Sequence, residues 1–306
     1  MHFLLDNKIF LCKYQKTQNG TKVFNMSKNI ETLTNMTKNG CITHSSRFHA
    51  DDIFSAALLK VVGIIPCISV INRVGHVPND FNGLAFDIGC GQFDHHQQNA
   101  RVRPNGKKYA SFGLLWDTVG SEYIINKYKT DTQTANDAAL KFDTDFITPM
   151  DLTDNFGPKR YPNTLSYIIE SLNNVKFTPQ ENDQVFKETA NYYCKPLEQS
   201  IYKSYKFIQN KIKANNLAIS DVITLPLDTD IDRSAFEGTI VKYIVKQSHR
   251  GTYNITTVEP YKIPHEYIKM PGCVQVYSIG AAFDTYNNAL NAAKQLARSV
   301  QVIFTK

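Results

Sequence analysis

Four short stretches in the first half of the chain concentrate side chains that bind hard metal ions or move protons. They are residues 43–52 (THSSRFHADD), Asp87 at the end of LAFDI, residues 94–97 (DHHQ) and residues 151–155 (DLTDN). Imidazoles and carboxylates mixed in this ratio suit Mn²⁺, Mg²⁺ or Co²⁺ better than a structural zinc, which prefers thiolates. A carboxylate shared between two such ions roughly 3.5–4 Å apart lets them acidify a bridging water and clamp the oxygens of a phosphoryl group. That is phosphate-ester hydrolysis without a covalent nucleophile. Each piece alone has a plainer reading: Asp-His-His can simply start a helix, a strand-end Asp can cap one, and His44 can be a hydrogen-bonded core histidine. The ordered set is far more specific than its parts.

The elements that must position these residues read as α/β. Residues 41–43 form a short strand, and from Asp51 the apolar residues Ile53, Phe54, Ala57, Leu58 and Val61 fall at helical spacing. Residues 64–71 (IIPCISVI) and 84–88 (LAFDI) read as buried strands, the second ended by Gly89 and Gly91. Residues 109–119 read as the next helix. Strand–helix–strand order implies a parallel sheet covered by helices. Its carboxyl edge is the ligand crevice, and all four stretches are expected there, at strand ends or in loops. Further on, Thr178, Pro179 and Glu181 start a long helix running to about residue 214, interrupted or kinked near Pro196. Strands are expected at 238–246 and 253–258. A last helix carries Ala289, Leu290, Ala293, Leu296, Ala297 and Val300 on one stripe.

The chain has 306 residues, of which 42% are hydrophobic and 20% charged. That composition supports at least one full core and excludes a disordered, collagenous or coiled-coil chain. No apolar run approaches the roughly 18 residues of a membrane span. The net charge of 34 − 28 = +6 is compatible with an anionic substrate but does not demand nucleic acid. The six cysteines form no CxxC pair, which favours a reducing, intracellular compartment. Residues 1–39 read as a disordered leader rich in Lys, Asn and Thr. The competing reading is an organelle presequence.

In this order THSSRFHADD, FDIG, FDHHQ and DLTDN resemble the motifs of the DHH phosphoesterase superfamily. Within it they most resemble the branch of metal-dependent hydrolases named after a melanocyte proliferating gene. Pro271, Gly272, Cys273 and Val274, followed by the Ala289–Leu290 helix, are similar to that branch's last segment, so the resemblance runs from about Cys41 to Arg298. It implies a DHH metal-binding α/β domain (40–177), a helical connector (178–215) and a smaller C-terminal α+β domain (216–306) that closes over substrate. It further implies two divalent cations, Mn²⁺ foremost with Mg²⁺ or Co²⁺ as alternatives. The eukaryotic members look like 3′→5′ RNA exonucleases of nucleus and mitochondria, so the implied substrate is single-stranded RNA or short nucleotides. No membrane and no obligate protein partner are implied.

Carried over residue by residue, the resemblance makes His44, His49, Asp51 and Asp87 metal ligands, with Asp87 between the ions. His95 becomes a ligand of the second ion, Asp94 the group that orients a histidine, and His96 the contact to substrate phosphate. Asp151 and Asp154 both match the fourth-motif ligand. Arg101, Arg103, Lys107 and Lys108 are expected to replace the phosphate-binding Arg that usually follows DHHQ, where this chain has Gln98. Asp52 stands where the family usually has Glu. Tyr277 occupies the position of a family His, and the Gly-Gly pair expected after it is missing.

The expected activity is therefore metal-dependent phosphodiester hydrolysis, with a 3′→5′ RNA exonuclease first. A small-substrate phosphoesterase acting on short oligonucleotides, cyclic dinucleotides or pyrophosphate is the alternative within enzymes. A nucleotide- or RNA-binding protein that has lost turnover is the rival from outside them.

Overall fold

The computed structural model describes residues 28–157, 164–263, 269–277 and 279–303. Strand β1 (Cys41–His44) is the centre of a three-stranded sheet of order β2-β1-β3, with β2 at Ile71–Val74 and β3 at Leu84–Ala85, both parallel to it. Helix α2 (Ala50–Val61) follows at once, and every residue from Ala50 to Leu59 is buried. Beyond Asp51 and Asp52 in its first turn the helix is almost wholly apolar, so it has no solvent face to keep and becomes the middle of the core. Around it pack α3 (Ser111–Tyr128), α5 (Thr148–Phe156), α6 (Leu165–Glu170) and α7 (Pro179–Leu217), and α4 (Thr132–Phe142) lies against α3 and α7. The arrangement is the expected α/β class.

Several boundaries differ from the sequence pattern. Residues 64–71 are not one strand: a turn and a short 3₁₀ segment (Ile68–Val70) come first, and pairing begins at Ile71. Gly63 turns the chain in the left-handed region at φ +82°, and Pro66 has no N–H for a ladder. Ile64, Ile65 and Ile68 are buried without being a strand. The strand expected at 84–88 stops at Ala85 because Asp87 has a left-handed backbone, φ 53°. The DLTDN stretch, expected at a strand end or loop, lies on α5, which a π-helical turn (Asp143–Ile147) joins to α4.

The expected leader also ends earlier. Asn29–Thr37 is a helix, α1, whose Leu33 is buried in the main core, and its first amides, Asn29 N and Ile30 N, donate to the Glu122 carboxylate at 2.9 and 3.3 Å. Residues 1–27 lie outside the described residues.

Helix α7 begins as the sequence predicts, with Thr178 and Glu181 in a capping box. It then runs unbroken through Pro196. The proline sits on an exposed face beside exposed Tyr192, where water can serve the carbonyl that Pro196 leaves without a donor. Phe186, Ala190, Leu197, Ile201 and Tyr205 of α7 join the main core, whereas Ala214 joins a separate apolar cluster with Ile223, Leu225, Phe236 and Ile244.

That second region holds a mixed five-stranded sheet of order β4-β5-β6-β8-β7. Its strands are β4 (Val222–Leu225), β5 (Tyr243–Gln247), β6 (Tyr253–Thr257), β7 (Cys273–Tyr277) and β8 (Gly280–Phe283). The strand expected at 238–246 thus starts only at Tyr243, and β4, β7 and β8 go beyond the two strands the pattern predicts. Helix α8 (Tyr286–Ile303) lays Ala289, Ala292, Ala293, Leu296 and Ala297 onto Tyr243, Val245, Ile255 and Phe283. Gly280 is required where β8 meets β6, since a Cβ there would strike the Ile255 carbonyl oxygen. Among the described residues no helix is long and apolar enough to cross a membrane.

Phe54 is fully buried, its ring 5.6 Å from Phe112, 5.3 Å from Phe146 and 5.1 Å from Tyr193. Phe54→Ala is expected to lower unfolding free energy by about 3–5 kcal/mol, measured by urea denaturation.

Candidate metal centre

Five segments bring their polar residues to one point at the carboxyl end of β1 and β3. His44 is the last residue of β1, His49 is the N-cap of α2, and Asp51 and Asp52 lie in that helix's first turn. Asp87 follows β3, and its left-handed backbone turns the chain just after Phe86, which bridges to Phe93. A non-glycine residue in this region is strained, and such strain clusters at functional sites. The loop after Phe93 supplies Asp94, His95 and His96, and α5 supplies Asp154.

The contacts knit these segments together. His44 Nε2 lies 2.9 Å from Asp52 Oδ2 and 3.2 Å from Asp87 Oδ2, and its Nδ1 meets Ser46 Oγ at 2.7 Å. His95 Nε2 lies 3.1 Å from both Asp87 Oδ1 and Asp154 Oδ2, and 3.9 Å from Asp51 Oδ2. His49 Nδ1 reaches Asp154 Oδ1 at 3.3 Å. Asp94 accepts the backbone N–H groups of Cys90, His95 and His96, and takes the Nδ1 proton of His96 at 2.6 Å. That bond fixes the His96 tautomer and leaves Nε2 on an exposed side chain free to meet a ligand.

The electrostatics of this cluster are unfavourable without a cation. Asp51 is 0% exposed, and neither of its oxygens receives a hydrogen bond. Burial, then repulsion from Asp154, Asp87 and Asp52, pushes its carboxyl well above the ordinary range. Asp52 is raised to about 6 by burial and by Asp87, against the pull of His44. Burial opposes charge on His44 and His95, yet the carboxylates beside them lift both to about 10. Asp87 is held low: burial opposes its charge, but the imidazoles of His44 and His95 beside it prevail. A buried set of acids that must otherwise share protons is what a multivalent cation satisfies. Overlapping groups of possible ligands are His44, His49 and Asp52; Asp87, His95 and His96; His49, Asp51 and Asp154; and Asp51, Asp52 and Asp87. These residues fit divalent cations.

Not all the candidates come together. Asp151, expected as an alternative ligand, is fully buried on α5 and bonds Arg103 at 2.6 Å. Its neighbour one helical turn on, Asp154, is the one that reaches the cluster. Arg103, expected to bind substrate phosphate, is itself buried: it grips Asp143 through two bonds of 2.7 and 2.8 Å and lies over the Tyr109 ring at 4.0 Å. Despite burial these carboxylates hold it charged. Gly113 of α3 leaves the room, because a Cβ there would strike both Asp151 and Arg103. Arg101 pairs with Asp117 at the surface, and Lys107 is exposed in the turn whose carbonyl bonds Arg103 N.

Asp52 belongs in the cluster and was not among the expected ligands. The signal for it was its place beside Asp51 in the same first helical turn. Ser46, behind His44, carried no sequence signal. In the second region Tyr277 stands on edge strand β7, half exposed, its hydroxyl donating to Gln275 at 3.1 Å.

Comparison with known proteins gives a family and two sets of likenesses. The model of the family MYG1_exonuc, "Uncharacterised protein family (UPF0160)", matches residues 41–267. A curated relative, the "MYG1 protein" of Dictyostelium discoideum, is 26% identical over 165 residues, covering 48% of this chain and 50% of its own length. The chain thus spans about half the length of that relative. Two solved structures of RecJ from Thermus thermophilus are similar at low level. The complex with Mg²⁺ has a TM-score of 0.27 and 12% identity, over 90% of this chain and 52% of that one. The complex with Mn²⁺ has a TM-score of 0.28 and 11% identity, over 91% and 55%.

The geometry separates the two aspartates of α5. Asp154→Asn is expected to weaken Mn²⁺ binding roughly tenfold or more. Asp151→Asn is expected to leave it unchanged while lowering unfolding free energy by about 1–3 kcal/mol. Calorimetric titration and thermal melts of the two variants check both.

Proposed function

Because the chain belongs to the MYG1_exonuc family, we propose that it is a hydrolase of phosphodiesters that works with two divalent cations, Mn²⁺ foremost, and shortens single-stranded RNA from its 3′ end. The observation that carries this reading is Asp51. A fully buried carboxylate with neither oxygen hydrogen-bonded, set among Asp52, Asp87 and Asp154, can carry its charge only against a cation and is otherwise driven to take up a proton. Asp51, Asp52, Asp87, Asp154, His44, His49 and His95 are the residues that would hold the ions, with Asp87, which faces both His44 and His95, between them.

When bound, such ions neutralise the nonbridging oxygens of a phosphodiester and acidify the attacking water. The chain's own groups do the rest. Asp94 holds His96 so that its Nε2 points away from the carboxylates to meet a phosphate oxygen. Ser46 fixes the ring of His44 from behind. Arg101 and Lys107, both at the surface of the loop after the histidines, add positive charge along the path of a polyanion. The region from β4 onward closes over the substrate in this reading, with Tyr277 on its outer strand.

The test is turnover of 5′-labelled single-stranded RNA, of dinucleotides and of pyrophosphate with Mn²⁺, Mg²⁺ or EDTA. A ladder shortening from the 3′ end, abolished by EDTA and slowed roughly 10²–10³-fold by Asp87→Asn, is the expected result. Cleavage of dinucleotides alone moves the function to a small-substrate phosphoesterase. Cation binding with no product from any substrate leaves a binding protein.

A further inference from the structure

Beside the metal centre lies a second concavity. It is a cleft of about 260 Å³ between the loop after β1 and the turn that leads into α7. Ser45, Ser46 and Arg47 form one wall, and Asn174, Phe177 and Asn182 stand on the other. The cleft is next to the centre along the chain: its Ser46 Oγ bonds His44 Nδ1, on the side of the ring away from the carboxylates, and its Arg47 is two residues from His49. We propose that this cleft is a nucleoside subsite, taking the base and sugar of the nucleotide whose phosphate lies at the metal centre. The proposal rests on the hydrolase reading and deepens it.

The walls are built rather than loose. Asn173 clamps both backbone groups of Phe48, accepting from its N–H at 3.0 Å and donating to its carbonyl at 2.8 Å. Arg73 lies beneath, donating to the His44 and Ser46 carbonyls and to Asn182 Oδ1 at 3.1 Å, with its guanidinium 4.7 Å from the Phe186 ring centre. The loop that carries His44 and the start of α7 are thereby fixed to one another.

The chemistry of the walls favours a base over a second phosphate. The start of α7 would attract an anion, but its capping box already fills it with the Glu181 carboxylate. Phe177 is a half-exposed aromatic that joins none of the apolar clusters, so its ring is available for stacking. Among the described residues the Ser45 hydroxyl and the Asn182 NH₂ make no bond, and they suit the edges of a base or the hydroxyls of a sugar. Arg47, exposed on the wall and two residues before His49, suits the phosphate itself. The volume, about 260 Å³, lies just below the roughly 300–1,000 Å³ of drug-sized ligand sites, which matches a single nucleoside rather than an oligomer.

The test is calorimetric binding of AMP and of ribose 5-phosphate to the Mn²⁺-loaded protein, which needs no turnover and so stands apart from the RNA assay. The expected result is AMP binding about tenfold or more tightly than the sugar phosphate. Phe177→Ala should remove that difference without changing ribose 5-phosphate binding, and Phe177→Tyr should keep it. Equal affinity for the two ligands in the unaltered protein overturns the proposal. So does a preference for AMP that survives Phe177→Ala, or an equal loss for both ligands in that variant.

Discussion

Four carboxylates held away from water within reach of one another define this molecule. Asp51, Asp52, Asp87 and Asp154 repel each other, and three imidazoles stand between them. The surrounding fold tolerates the concentration through a few fixed devices. The amino end of α2 puts its positive pole under Asp51 and Asp52. The strained backbone at Asp87 ends pairing at the sheet edge and turns the chain toward the site. A short sheet of three strands is enough, because its function is to hold one edge rather than to span a large core.

The buried triad of Arg103, Asp143 and Asp151 is the counterpart of that centre. Arg103 sits in the loop that follows the paired histidines, and its two carboxylates come from the helical stretch that presents Asp154. The loop and the helix therefore share one electrostatic fastening, on the same two segments that present His95 and Asp154. A wholly apolar contact would press the two segments together without choosing a helical rotation. The directed bonds of a guanidinium choose one.

Much of the centre was legible in the residues, since motif order pointed to one sheet edge and the family resemblance singled out His44, His49, Asp51, Asp87 and His95, which the fold brings together. What could not be read was burial and rotation. Asp151 and Asp154 are the same residue type three positions apart, and only the helix that carries them decides which one turns to the site. Arg103 has the charge of a phosphate ligand, and sequence does not show that Asp143 and Asp151 consume it. Residues 64–71 have the composition of a strand, yet Pro66 and the turn at Gly63 give them another backbone, in which Ile64, Ile65, Ile68 and Ile71 are buried and Pro66, Ser69 and Val70 are exposed. Leu33 looked like part of a solvated leader because its neighbours are polar on the other faces of a short helix. In each case the local pattern was satisfied by more than one arrangement, and tertiary packing selected.

The 39 residues of helix α7 rise about 58 Å from end to end. Its first turn forms a wall of the cleft beside His44, and Ala214 near its last turn is sealed into the cluster beneath β4 and β5. A rod of that length pivoted at its amino end carries its far end about one ångström for each degree of tilt. Phe186, Ala190, Leu197, Ile201 and Tyr205, buried along its length, hold such a tilt down, so the wall of the cleft and the cluster at the far end are placed by one rigid element.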